Sequence, residues 1–412
     1  MLWTGPAGAL KFQGVAVKFL VFSDDWGEHP SSCQHLFQVL TRQHPTIWVN
    51  TVGLRLPQFT VPDTVKSVRK LSAMLGLRQL NKANGHNGHN GHNGHAPHVC
   101  VPLMTPFHRP QWLAAWNQRS LLRHVSQELK QEKFDDFTII TTTPTVCDVV
   151  DKLNASKVIY YCVDDFSEWP GMERELVLSL EQRLLQHVDT VICSSQPLYE
   201  KFQDKYPTHL LRHGVDIKLF SALPAQEHAC LAGIPKPRVG YFGNFDKRNN
   251  QELITSLAKA MPYVSFVFTG PVQDNISALK KLPNVYFTGA VPYEELPAVV
   301  KGWEACLLPY HYNALTVNIN PLKLKEYLAC GKPVIATPLP DVQELDQYLR
   351  VVEERNIAGW RQAIDDAIGG QWLPDLPAVG QLLAGESWER KADIFLRICQ
   401  VACLLAQFRV EI

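Results

Sequence analysis

Short apolar runs and amphipathic stretches alternate along the first half of the chain. Residues 15–22 form one such run, and Leu36, Phe37 and Leu40 come after it at helical spacing. An apolar run of this length is typical of a strand that is buried on both faces, and strands separated by helices form parallel sheets. The runs of the first half that we interpret as strands are residues 15–22, 46–51, 137–141 and 157–162.

A second series of apolar runs begins at residue 238, after a proline-rich stretch at residues 221–237. Its predicted strands are residues 238–242, 263–269, 284–288, 305–308, 334–336 and 349–352. The 412 residues are enough for two domains of ordinary size. We therefore predict an α/β fold with two Rossmann-like domains, in residues 1–215 and 216–385, followed by a C-terminal helix in residues 386–412.

Residues 318–337 contain a helix start with the chemistry of an anion site. Asn320 is the predicted N-cap, Pro321 fits the first helical position, and Gly331 can end the helix in a left-handed turn. Lys323 lies in the first turn, where the helix dipole disfavours a cation by about 0.3–1 kcal/mol. Free backbone N–H groups beside a lysine make a phosphate site. A surface helix with an ordinary exposed lysine explains the same residues.

Glu326 lies on the same helix face as Lys323, one turn deeper, where a carboxylate suits a sugar diol. This segment resembles the donor-binding helix of nucleotide-sugar glycosyltransferases with the GT-B fold, chiefly family 4. Their usual pattern is two glutamates separated by seven residues, with Ala-x-Gly-x-Pro-Val after the second. Glu326 matches the second glutamate, Ala329-Cys-Gly-Lys-Pro-Val matches the rest of the pattern, and Asn318 stands in the place of the first glutamate. Lys323 and Glu326 also resemble an arrangement in some exopolysaccharide glycosyltransferases.

Residues 243–250 place a glycine turn and a basic loop between a strand and a helix, for which Asn249 and Glu252 predict a capping box. In the family that the chain resembles, a basic pair in this loop holds the donor diphosphate, and Lys247 and Arg248 match that pair. Arg248 is the better candidate because a guanidinium binds phosphate through two parallel hydrogen bonds. The donor-binding residues implied by the resemblance are Gly243, Asn244, Lys247, Arg248, Tyr293, Asn318, Asn320, Leu322, Lys323 and Glu326.

Two expectations on the donor side concern the nucleotide base and the metal. Tyr293 suits an aromatic platform for the base, although packing is the more ordinary role for a tyrosine. No bound metal is expected, because GT-B enzymes generally work without one and basic residues can take its place.

Candidates for the acceptor side lie in loops after the predicted strands of the first half. Trp26, Gly27 and Glu28 come after the first strand and are candidates for acceptor binding, and an ordinary strand–helix turn is the alternative. Asp164 and Asp165 come after the strand at residues 157–162, where one carboxylate can act as general base on an acceptor hydroxyl. They resemble the acidic pair of inverting GT-B exopolysaccharide transferases. The alternative is a cap for the next helical turn.

Residues 64–127 contain eight lysines and arginines and no Asp or Glu. Basic residues beside tryptophans, as in this segment, suit an anionic membrane surface or a lipid-linked diphosphate acceptor. A solvated basic face with buried tryptophans is the alternative, and nucleic acid is a weaker competitor. The Asn-Gly-His repeat within residues 84–98 is predicted to be a flexible loop, with transition-metal binding as the alternative.

The composition limits compartment and partners. Lys+Arg and Asp+Glu number 40 each, so the whole-chain charge gives no reason to expect non-specific nucleic-acid binding. The chain begins without a basic region of the kind found in secretory signals, and most of its ten cysteines lie in apolar runs, as reduced core thiols do. We expect no transmembrane helix and a cytoplasmic protein that is peripheral to the inner face of the membrane.

The resemblance implies a GT-B fold, in which the two domains face a cleft and the C-terminal helix returns to the first domain. The function that it implies is transfer of a sugar from a nucleotide diphosphate donor to an acceptor hydroxyl. A lipid-linked or polysaccharide acceptor in cell-envelope or exopolysaccharide synthesis is the expected substrate. A nucleotide-sugar epimerase of the same fold would turn over the donor without an acceptor. A degenerate partner protein would bind the donor without turnover, and the missing first glutamate leaves that alternative open.

Overall fold

The computed structural model describes residues 16–28, 31–51, 96–105 and 110–407, which form two α/β domains. In the first domain, seven strands form an all-parallel sheet in the order β3-β2-β1-β4-β5-β6-β7. These strands are β1 (Lys18–Ser23), β2 (Thr46–Asn50), β3 (His98–Cys100), β4 (Phe137–Thr141), β5 (Lys157–Cys162), β6 (Thr190–Cys193) and β7 (Thr208–Leu210). Its helices are α1 (Ser32–Leu40), α2 (Gln111–Gln131), α3 (Arg174–Leu184) and α4 (Gln196–Phe202).

The second domain is built on a six-stranded parallel sheet in the order β10-β9-β8-β11-β12-β13. Its strands are β8 (Arg238–Phe242), β9 (Ser265–Thr269), β10 (Val285–Gly289), β11 (Ala305–Leu308), β12 (Val334–Ala336) and β13 (Arg350–Val351). Its helices are α5 (Ile217–Ser221), α6 (Gln251–Ala260), α7 (Leu296–Lys301), α8 (Leu322–Ala329), α9 (Pro340–Gln343), α10 (Ile357–Ile368) and α11 (Leu376–Ala384). The interior strands β1 and β8 are buried along nearly their whole length, as their apolar runs predict.

The last helix, α12 (Trp388–Gln407), packs on the first domain. Phe395 lies 6.0 Å from Phe37 of α1 and 6.1 Å from Tyr161 of β5, measured between ring centroids. The chain therefore crosses between the domains twice, once before α5 and once before α12. The predicted fold class, two Rossmann-like domains with a C-terminal helix that crosses back, is confirmed.

Two predicted helix starts are wrong, and the hydrogen bonds made by asparagine side chains explain both. Helix α8 begins at Leu322 with Pro321 at its N-cap position, because the side chain of Asn320 is hydrogen-bonded outside the helix. Helix α6 is capped by Asn250, whose side chain accepts from the backbone N–H of Leu253, so the predicted Asn249 capping box does not form. The end of α8 is as predicted: Gly331 has a φ of 65°.

The Asn-Gly-His repeat and most of the basic segment, including residues 64–95, lie outside the described residues. Within the part of the chain that is described, no helix has both the length and the apolar character needed to cross a bilayer.

Candidate active site

The carboxyl ends of the central strands of both sheets carry the polar residues that the sequence singles out. Loops after β1 and β5 lie on the first domain, and the loop after β8 together with the start of α8 lies on the second. Ligands of open parallel sheets bind at this end of the strands.

Lys323 lies in the first turn of α8, and its side chain lies against the glycine turn after β8. Its Nζ is 3.5 Å from the hydroxyl of Tyr310 and 5.3 Å from the centre of the Tyr241 ring. A Cβ atom added to Gly243 would be 2.2 Å from Cε of Lys323, and Gly243 has a φ of 115°. Only glycine therefore lets the lysine stem lie across this turn. The carbonyl of Asn244 accepts from the Tyr241 hydroxyl, which fixes the same turn.

Glu326 is buried one turn further along α8, and the hydroxyl of Tyr293 donates to its Oε1 at 2.7 Å. Burial raises the pKa of Glu326 to about 7, against the lowering effects of the Tyr293 hydrogen bond and the Lys323 charge. The ring of Tyr293 lies 5.2 Å from His35 of the first domain and 5.4 Å from Phe220, between ring centroids. Tyr293 therefore orients Glu326, and its ring is occupied by packing contacts.

Arg248 reaches from the second domain to the first. Its Cζ lies 5.2 Å from the centre of the Trp169 ring, in the loop after β5. Two nitrogens of the guanidinium donate to the carboxylate of Asp246, with Nε 2.9 Å from Oδ1. Lys247 points elsewhere, because its Nζ lies 2.6 Å from Asp274 and the side chain is 63% exposed. Of the two basic residues of this loop, only Arg248 faces the other domain.

The adjacent carboxylates Asp164 and Asp165 have different surroundings. Asp165 caps the 3-10 turn Phe166–Glu168 by accepting from the N–H of Ser167, and its Oδ2 lies 3.2 Å from Nζ of Lys201. The pKa of Asp164 is raised to about 6, mainly by burial and further by Asp165 and Asp246, while Arg248 opposes the rise.

The Asp165 carboxylate is thus committed to structure. The charges of Arg248 and Asp246 in the second domain act on the pKa of Asp164, and a carboxyl with a pKa of about 6 is ionised and able to accept a proton at neutral pH.

Asn318, Asn320 and Leu322 connect the start of α8 to the first domain. The carbonyl of Asn318 accepts from Oγ of Ser195 at 2.7 Å, while its side chain donates to Ala314. Asn320 accepts from the backbone N–H of His213 at 3.1 Å. Leu322 packs with the apolar cluster of α1 and α12. These three residues position the helix start, and the side chains of Asn320 and Leu322 are directed towards protein groups.

The candidate acceptor residues form a turn after β1. The Trp26 ring lies 4.7 Å from the Trp48 ring, and its backbone N–H donates to Asn50. Gly27, at a φ of 83°, donates its N–H to Oε1 of Gln34 at 2.9 Å. Gly27 and Glu28 are exposed. The turn is anchored at Trp26, and its other end is open to solvent.

The sequence does not indicate several residues that contribute to the candidate site. Tyr241 and Tyr310 flank Lys323, Asp246 orients Arg248, and Trp169 receives it across the cleft. Aromatic residues at strand ends are also common in cores, so the sequence offers no signal that separates these from packing residues.

The second domain matches a known family. Residues 236–369 match the family model described as Glycosyl transferases group 1. A stretch of 184 residues, 42% of this chain, is 30% identical to the putative teichuronic acid biosynthesis glycosyltransferase TuaH of Bacillus subtilis (strain 168). That match spans 46% of the relative's length, so it covers about half of the curated relative.

Solved structures match nearly the whole chain. Sucrose-phosphate synthase from Thermosynechococcus elongatus has a TM-score of 0.65 and 17% identity, covering 95% of this chain and 99% of that one. HepE from Anabaena, solved in complex with UDP, has a TM-score of 0.60 and 15% identity over 94% of this chain and all of its own. These similarities show a GT-B fold for both domains, and the match to the family model lies within the second domain.

Proposed function

We propose that this GT-B protein, with a group 1 glycosyl transferase domain in its second half, is a glycosyltransferase that uses a nucleotide diphosphate sugar. The observation that carries the proposal is the position of Lys323. This residue belongs to the first turn of α8, and its side chain lies across the glycine turn that follows β8. An ammonium group, free helix N–H groups and a glycine turn together form a diphosphate site. UDP is the favoured nucleotide because HepE, a structural neighbour, is solved with UDP.

The proposed roles derive from this geometry. Lys323 and the N–H groups at the start of α8 neutralise the leaving diphosphate, and Arg248 exchanges part of its contact with Asp246 for the same phosphates. Glu326, held by Tyr293, accepts hydrogen bonds from the ribose diol. Asp164 takes the proton of the acceptor hydroxyl in an inverting reaction. We expect no metal ion in this scheme, because protein cations supply the positive charge.

The proposed acceptor is lipid-linked, or a glycan of the cell envelope, presented at an anionic membrane surface. Support comes from helix α2, where Trp112, Trp116, Arg119 and Arg123 are exposed and are spaced at intervals of four, three and four residues. That spacing puts all four on one helix face. The Trp112 side chain is 68% exposed, which is unusual for a tryptophan in a soluble helix and ordinary at a membrane interface.

A nucleotide screen tests the proposed function. We expect UDP or GDP to raise the melting temperature by about 5 °C at roughly 100 times the dissociation constant, because a ligand that binds only the folded state stabilises it. Sugar transfer, measured as nucleotide release, should require an acceptor glycolipid or glycan. Release of an altered nucleotide sugar without acceptor would identify an epimerase instead, and binding without any turnover would identify a degenerate partner protein.

Membrane docking is tested with the double variant Arg119→Gln/Arg123→Gln. Each cation near an anionic surface contributes about 1 kcal/mol, so we expect roughly 30-fold weaker partitioning onto vesicles that contain phosphatidylglycerol. The matched control is Lys280→Gln/Lys281→Gln, which removes two exposed cations from the second domain. Sedimentation should show binding that weakens with salt. Equal binding of the wild type to neutral and anionic vesicles would contradict the membrane assignment.

A further inference from the structure

Asp341 is a buried carboxylate at the boundary between the two domains. It belongs to α9 in the second domain, and its side chain is 0% exposed. Three groups from separate parts of the chain donate to it. The backbone N–H of Gln196 lies 3.0 Å from Oδ1, and Nδ2 of Asn320 and Nε of Arg212 lie 2.6 Å and 3.4 Å from Oδ2.

Each donor belongs to a different structural unit. Gln196 is the first residue of α4, a helix of the first domain, so Asp341 accepts from its N-terminal backbone across the boundary. A negative charge is favourable at that end of a helix. Arg212 lies in the segment where the chain first crosses between the domains, and it also pairs with Glu344 at 2.6 Å. Asn320 lies three residues before Lys323.

Asn320 links Asp341 to the proposed diphosphate site. Its Oδ1 accepts from the backbone N–H of His213, so one side chain joins the crossing segment to Asp341 immediately before α8 begins. The carbonyl of Asn318 is held in the same way by Oγ of Ser195, the residue before Gln196. The beginning of α4 therefore holds the segment that leads into α8 directly at Asn318, through Ser195, and indirectly at Asn320, through Asp341. Removing a donor from a buried carboxylate leaves it poorly solvated, so these bonds are costly to break.

We propose that Asp341 is a positioning residue for sugar transfer: through Asn320 and the N-terminus of α4, it fixes the start of α8, and with it Lys323, relative to the first domain. This proposal rests on the proposed function. Donor binding needs only the second domain's groups, whereas transfer needs Lys323 and Asp164 in one geometry. Loss of the contact should therefore lower kcat and leave donor affinity nearly unchanged.

A matched pair of variants isolates the effect of a single hydrogen bond of this network, because one variant removes that bond and the other keeps it. Gln196→Pro deletes the N–H that Asp341 accepts, and proline is well tolerated at a first helical position. Ser195 has a φ of −135° and a ψ of 158°, in the extended region that a residue before proline requires. Gln196→Ala keeps the N–H and removes the same side chain.

We expect kcat to fall about tenfold in Gln196→Pro, as for the loss of one hydrogen bond to a charged group, and to stay within about twofold in Gln196→Ala. The Kd for UDP should change by less than about twofold in both. Equal kcat in the two variants, or a loss confined to KM, would overturn the proposal.

An exchange of side chains provides the second test. Asn320→Asp and Asp341→Asn should each lower kcat, because each disrupts the amide–carboxylate pair. The double variant restores that pair with its polarity reversed, and we expect kcat within about threefold of wild type. A double variant no more active than the weaker single variant would refute the assignment.

Hydrogen exchange separates failure of this inference from failure of the proposed function, because it needs no activity. Amides at residues 318–325 should exchange faster in Gln196→Pro than in Gln196→Ala. If the wild type releases no nucleotide with any acceptor, the proposed function fails while this comparison still stands. Identical exchange in the two variants would refute the positioning role even in an active enzyme.

Discussion

Replacing Lys323 by methionine should weaken UDP binding by about 10- to 100-fold and lower kcat by at least a similar factor. One charge-assisted hydrogen bond to a phosphate accounts for the loss of affinity. The loss in kcat arises because negative charge grows on the diphosphate as the sugar bond breaks. Methionine keeps an unbranched stem to lie across Gly243, so the free energy of unfolding should change little. Calorimetric titration with UDP and steady-state kinetics measure the two effects.

Lys247→Met is the matched control for this experiment. Lys247 is a lysine of the neighbouring loop, but its ammonium group pairs with Asp274 and its side chain is mostly exposed. We expect UDP affinity within about twofold of wild type, because the Lys247 ammonium group lies against Asp274 and not at the proposed diphosphate site. Equal losses in the two variants would indicate a general electrostatic effect and would contradict a specific phosphate contact by Lys323.

Asp164→Asn should lower kcat by about 10²- to 10⁴-fold, the usual contribution of a general base. The affinity for UDP should be kept, because asparagine preserves the shape of the side chain and removes no donor-side cation. Wild-type kcat should rise with pH through about 6, since the raised pKa of Asp164 leaves the carboxyl protonated and unable to accept a proton below that value. The variant should lack this rise.

Asp165→Asn separates the two adjacent carboxylates. Asparagine keeps an oxygen that can cap the turn at Ser167 but loses the ion pair with Lys201. We expect a melting temperature lower by a few degrees and kcat within about threefold of wild type. Retention of kcat in Asp164→Asn would contradict the role of Asp164 and would favour a retaining mechanism, in which no protein base is needed at this position.

The strands and the two-domain architecture were predictable because buried parallel strands leave continuous apolar runs in the sequence. The start of α8 was predicted one residue too early. Asn320 has the local features of an N-cap, but its side chain is used by His213 and Asp341, which are distant in sequence. The local sequence does not show that these hydrogen bonds replace the N-cap, because the arrangement of the two domains determines which partners Asn320 meets.

The candidate site was predictable only on the side that carries a motif. Lys323, Glu326 and Gly331 at fixed spacing indicate the donor helix, and the structure places Lys323 of that helix against the turn at Gly243. The sequence left Asp164 and Asp165 as alternatives, because their difference arises from Lys201 and Arg248. Trp169 and Asp341 act across the domain boundary, and nothing in their immediate sequence indicates a partner in the other domain.

A crystal structure of the full chain with UDP tests the central claim most directly. We expect the β-phosphate within hydrogen-bonding distance of Nζ of Lys323 and of a backbone N–H at the start of α8, with the ribose diol on Glu326. A diphosphate bound elsewhere, with the Lys323 ammonium still against Tyr310 and Tyr241, would contradict the claim.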